Sequence, residues 1–225
     1  MNTDTTALYS KFTLAMAAAT LLASGCVNPE TSQQSTQEFK QTNSVSTDNS
    51  NDLTETASIT VDVINVNEAR ESDLLREVMS EVNDIYQQCR ITMTFNTQNT
   101  ALASEQSIDS EIRSTMAQQF KKTSPTIFFV QRTIEEDVAY AHLPSLNLPV
   151  ASTIWITVRV NEGCLAWITA HEIGHVLLDS GKHSGGRVNV MSTGCTLNNW
   201  NSGTSAPIWT TEQCAALHLS PFLAR

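Results

Sequence analysis

The chain has 225 residues, of which 40% are apolar, and a formal net charge of -10. That length accommodates one domain of ordinary size plus appendages, with enough apolar residues for a core. The acidic balance, with no visible cluster of Lys and Arg, excludes a nucleic-acid partner and favours a soluble domain.

Residues 1–25 read as an export signal. Lys11 supplies a weak positive flank, and Phe12 to Leu22 is an apolar run too short to cross a membrane. Leu22-Ala23-Ser24-Gly25-Cys26 resembles the lipobox of bacterial lipoproteins, in which the cysteine is lipidated and becomes the mature N-terminus. The resemblance implies that Cys26 is a lipid anchor to the membrane. With Val27 next to it, it also implies sorting to the outer membrane, facing the periplasm or the cell surface. The alternative is an ordinary secretory signal cleaved nearby, and either way the chain leaves the cytoplasm. Residues 26–57 are rich in Ser, Thr, Gln and Asn, bury too little to offset their ordering entropy, and are expected to form a flexible tether.

The folded domain is expected over 58–225. Ile59, Val61 and Val63 alternate with polar residues, the period of a half-buried strand. From Glu71 to Cys89, Leu75, Val78, Val82 and Ile85 recur at helical spacing. Ile91, Met93 and Phe95 alternate again, and Ile108, Ile112, Met116 and Phe120 form a stripe on a second helix. Thr126 to Val130 reads as a central strand buried on both faces. Tyr140 to Pro144 is less regular and ends in proline, which suits a sheet edge, whereas Ser152 to Val160 is a strong strand.

Asn161-Glu162-Gly163 then leads into a helix carrying His171-Glu172-Ile173-Gly174-His175. Residues four apart share a helix face, so both imidazoles can bind one ion. Glu172 is one step round, placed to take a proton from a water that the metal activates, which makes it the general base. Zinc suits such a site, because a catalytic zinc takes three protein ligands and leaves a position open for water. Ala166, Ala170, Ile173 and Leu177 form an apolar stripe for the sheet, and Gly174 permits close packing. Asp179-Ser180-Gly181-Lys182 should end the helix, with the glycine free to take positive φ, and His183 then reaches the metal as third ligand. Asp179 and Glu212 are the fallback ligands. Further on, Val188 to Ser192 places Met191 in a turn, Thr193 to Pro207 is a loop rich in Asn, Gly and Ser, and Thr210 to Gln213 has the spacing of a capping box opening a last helix that Pro221 ends.

HExxH, a glycine turn, a third histidine and a methionine turn resemble the metzincin clan of zinc endopeptidases, whose pattern is HExxHxxGxxH followed by a Met-turn. Here Leu178 and Gly181 stand where the glycine and third histidine usually do, while a glycine and a histidine appear at positions 181 and 183; a two-residue insertion in the turn would bring His183 into the place of the third histidine. The resemblance implies an α+β fold: a mixed twisted sheet with packed helices, a zinc helix, a Met-turn at Met191 and a C-terminal helix. It also implies one catalytic Zn2+ on His171, His175 and His183, and a peptide or protein substrate. The edge segment Tyr140 to Pro144 would then pair with that substrate as an added strand, with His142 either a substrate contact or an exposed histidine of no special role. Cys89, Cys164, Cys195 and Cys214 remain after Cys26, an even number in an exported chain, so two disulfides are expected with three pairings open.

Two functions follow. One is a zinc-dependent endopeptidase with Glu172 as general base. The other is a non-catalytic zinc-binding envelope lipoprotein acting as a binding or structural module. Substrate specificity and oligomeric state are not encoded legibly.

Overall fold

The computed structural model describes residues 55–102, 107–120, 125–135, 137–186, 188–195 and 207–225. The export signal, Cys26 and nearly all of the expected tether lie outside these residues.

Period-two alternation builds the sheet and divides the core. Five strands, β1 (Ala57–Val66), β2 (Ile91–Thr100), β3 (Thr126–Val130), β4 (Ala139–Ala141) and β5 (Thr153–Thr157), lie in the order β2-β1-β3-β5-β4. All neighbours are parallel except the last pair, where β4 runs antiparallel to β5 with Tyr140 opposite Trp155. The α-helices among the described residues are α1 (Ser72–Gln87), α2 (Ser110–Phe120), α3 (Glu162–Leu178) and α4 (Thr211–Leu217), and a single 3-10 turn, Pro144–Leu146, follows β4. The result is a mixed α+β fold, as the sequence leads one to expect.

Val61, Val63, Ile127, Phe129, Ile154 and Ile156 share a core with residues of α1 and α3. Ile64, Val66, Phe128, Val130 and Trp155 point the other way, where Ile108 and Met116 cover them. Phe128 and Trp155 stack there with centroids 4.3 Å apart. β3 is therefore buried on both faces, as its apolar run predicts. β1 starts one residue before the expected boundary, at Ala57, and only its first turn-side residues alternate; Val61 to Val66 is buried throughout. Flanking by β2 and β3 and cover on both faces make it an inner strand rather than a half-buried one. β5 is shorter than its sequence suggests: after Thr157 the chain turns, with the Val160 N–H bonded to the Thr157 carbonyl at 3.2 Å.

α1 and α3 lie on one face of the sheet, tied where the buried Tyr86 hydroxyl donates to the Ala170 carbonyl at 2.9 Å. α4 closes the far end and opens with the expected capping box, Thr210 and Gln213 satisfying each other's backbone N–H. Two disulfides fix this frame: Cys89–Cys214 joins the end of α1 to α4, and Cys164–Cys195 joins the first turn of α3 to the segment after Met191.

Candidate metal centre

α3 begins where the Asn161 side chain accepts the Gly163 N–H at 2.9 Å, and carries His171, Glu172 and His175 into the interior. It stops at Leu178 because Asp179 adopts the left-handed conformation, φ 45° and ψ 46°. Gly181 was the expected turn residue; the reversal occurs two residues earlier, at an aspartate, one of the few side chains that tolerates this region. The Asp179 carboxylate accepts the Ser145 N–H at 3.1 Å, so this fallback ligand instead ties the loop after β4 to the helix end. Glu212, the other, is exposed in the first turn of α4.

The early reversal brings His183 back over the helix. Its ring lies 5.2 Å from that of His171 and 5.0 Å from that of His175, and one ligand nitrogen from each of the three falls within 4.8 Å of the others. The other nitrogens of His171 and His175 are already committed. His171 Nδ1 donates to the Val190 carbonyl at 2.8 Å, and His175 Nδ1 to the Ser180 carbonyl at 2.6 Å. That leaves the two Nε2 atoms, 3.0 Å apart, as facing lone pairs. Facing lone pairs repel unless a cation lies against both, and two nitrogens on one tetrahedral zinc would stand roughly 3.4 Å apart. His183 Nε2 is buried and has no hydrogen-bond partner. An orphaned buried nitrogen beside two others is the donor set a zinc ion would fill, so the residues fit the group.

The electrostatics agree. Burial first, then the neighbouring His175 charge, lowers His171 to about 3, and burial likewise lowers His175 and His183. All three imidazoles are therefore neutral near pH 7, the form that ligates. Glu172 is 2% exposed, and burial, reinforced by Asp137, raises its carboxyl to about 8. A dication on the histidines would draw it back towards the carboxylate.

Met191 packs on α3 at Gly174, the residue before His175. A Cβ on Gly174 would fall 2.6 Å from Met191 Sδ and 2.9 Å from Trp209 Cη2, so the close approach that Gly174 permits is to the methionine turn and Trp209. The turn is held by Asn189, whose Oδ1 accepts the Met191 N–H at 2.8 Å and the Ser184 hydroxyl at 2.5 Å, and whose Nδ2 donates to Gln213 Oε1 at 2.7 Å. The Val190 and Ser180 carbonyls, Asn189, Trp209 and Asp137 were missed by sequence reasoning. Only Asn189, an amide within a predicted turn, gave any signal.

His142 does not face this cleft. Its ring packs edge-on against Tyr140, 5.3 Å away, on the side of the sheet covered by α2, while Ala139 and Ala141 are the β4 residues that pack towards α3. It is half-buried rather than exposed. Of the loop expected to form a cleft wall, Thr193, Gly194 and Cys195 line a cavity beside Glu172, and residues 196–206 lie outside the described residues.

No protein-family model matches the chain, and no curated protein sequence does. Solved structures do match. Metalloproteinase-II from Bacteroides fragilis superposes with a TM-score of 0.50 and 16% identity, covering 73% of this chain and 54% of that one. Archaemetzincin from Methanopyrus kandleri gives 0.51 and 10%, covering 72% of this chain and 94% of that one. The fold is similar to that of zinc metalloproteases. At these identities the likeness is one of fold, and the chain spans about half the length of the Bacteroides protein.

Proposed function

We propose that the protein is a zinc-dependent endopeptidase. The observation that carries this reading is the convergence of three neutral imidazoles, two of them oriented by backbone carbonyls, beside a buried carboxyl on a fold similar to metalloproteases. Zinc, when bound by His171, His175 and His183, supplies a Lewis acid for a peptide carbonyl and lowers the pKa of a water to about 7. Glu172 takes a proton from the attacking water at its carboxylate and passes it to the leaving amine. The antiparallel edge strand β4 borders the same cleft through Ala139 and offers its free edge to an extended substrate.

The enzyme works outside the cytoplasm, lipidated at Cys26 and held to the outer membrane by the tether. The lipobox-like sequence supports this, and two disulfides suit an oxidising compartment.

The test is hydrolysis of an unstructured peptide mixture by the zinc-loaded protein, beside Glu172→Gln. Cleavage that falls by a factor of about 10²–10⁴ in the variant, with zinc retained, is expected. Equal cleavage by both proteins would remove Glu172 as the base, and no cleavage by the zinc-loaded wild type would replace the enzyme with the non-catalytic zinc-binding lipoprotein.

A further inference from the structure

Beside Glu172 lies a small cavity of about 60 Å³. Val138 and Ala139 line it from the strand side, Trp167 and Ile168 of α3 line the floor, and Thr193, Gly194 and Cys195 line the side opposite the strand. His171 and Glu172 sit at its edge, so whatever occupies it lies against the reacting centre. Apart from these two, Thr193 has the only polar side chain in the lining, and the surface presented is almost wholly apolar, so an occupant that hydrogen-bonds or carries charge would be desolvated there with little return. Its volume is under half that of the roughly 150 Å³ cavity that admits a benzene ring, which leaves space for a methyl or isopropyl group and none for an aromatic one.

The far wall is fixed covalently. Cys195 is bonded to Cys164 in the first turn of α3, three residues before Trp167 on the cavity floor, so floor and wall belong to one cross-linked unit. The wall cannot retreat from α3 to admit a larger group while that bond stands. Val138 and Ala139 oppose it on the strand side, where Ala139 pairs with Ile156 of β5 and is itself held by the sheet. The cavity is bounded on two sides by covalent or hydrogen-bonded scaffold, the condition for selection by size.

We infer that this cavity is the specificity pocket of the site, that it takes a small aliphatic side chain, alanine to valine, flanking the scissile bond, and that the Cys164–Cys195 disulfide sets its size. The inference rests on the peptidase reading above, which by itself leaves the substrate open.

The experiment uses the zinc-loaded full chain and a peptide mixture with every residue type at each position, the products being sequenced by mass spectrometry. Cleavage sites with Ala or Val on one flank should exceed those with Phe or Trp there by tenfold or more, since even one methylene in an apolar pocket discriminates by about 10–200-fold. Ile168→Ala deepens the floor and should raise cleavage beside Leu and Phe relative to Ala by a similar factor. Cys164→Ser with Cys195→Ser should flatten the ranking while one zinc per chain remains bound. Binding of uncleaved Ala- and Phe-containing peptides to Glu172→Gln, followed by calorimetry, gives the same ranking independently of turnover. Cleavage with no flank preference, or a preference for large or charged residues that Ile168→Ala leaves unchanged, overturns the pocket and keeps the peptidase. The predicted ranking in binding without any cleavage by the wild type supports the pocket and overturns the peptidase.

Discussion

At the scale of single residues, the site depends on two kinds of constraint, one chemical and one steric. The chemical one is the commitment of His171 Nδ1 and His175 Nδ1 to backbone carbonyls, which leaves Nε2 of each ring free for a cation. The steric one is Gly174, where an added methyl would meet Met191 Sδ at 2.6 Å and the Trp209 ring at 2.9 Å. Gly174→Ala should therefore destabilise the domain by about 1–3 kcal/mol, the usual range for overpacking, as read by urea denaturation. Where the clash is relieved by a shift of the helix rather than of the two side chains, His171 and His175 move with it and zinc binding should weaken as well. Unchanged stability would mean that Met191 and Trp209 repack freely. Asn189→Ala removes acceptors for the Met191 N–H and the Ser184 hydroxyl and should cost about 1–3 kcal/mol by the same measurement.

At the scale of elements, the features legible in the sequence are those set by local periodicity. The strand at Ile59 to Val63, the apolar run Thr126 to Val130, the helical stripe from Leu75 to Ile85 and the HExxH spacing each report on neighbours within one element, and each element appears in the fold, although Asp62 is buried and the first strand is covered on both faces. Features that depend on contacts between distant segments were not legible. The disulfide pairing follows from where α1 ends relative to α4. The Asn189 amide is completed by Gln213, which comes to it from α4, and the left-handed Asp179 was hidden by a glycine two residues on, a residue type better suited to positive φ. The Cys89–Cys214 bond spans 125 residues, so replacing both cysteines by serine frees a long loop in the unfolded chain. The expected loss is about 2–5 kcal/mol, visible as a lower urea midpoint. A loss near zero would show that α4 is held by its capping box and apolar contacts alone.

At the scale of the whole molecule, acid should destabilise the fold from the α2 face as well as from the metal centre. His142, beside Arg113, Glu135 and Tyr140, is lowered by burial to about 4, and Arg113 also disfavours its charge. The unfolded chain then binds a proton more readily than the fold does, so the contribution of His142 is complete above about pH 6.5 and is lost as pH falls towards 4. Glu135 is lowered chiefly by its bond to Arg113, so its contribution holds above the ordinary glutamate range and is lost as pH falls through the folded value. The melting temperature should fall between pH 7 and 4, and fall less steeply in His142→Gln; identical slopes would remove His142 from the account. The central claim is tested most directly by elemental analysis of zinc in the wild type and in His183→Ala. One zinc per chain, lost or much weakened in the variant, is the predicted result. One zinc retained in full by the variant, or none in a folded wild type, would contradict the three-histidine site.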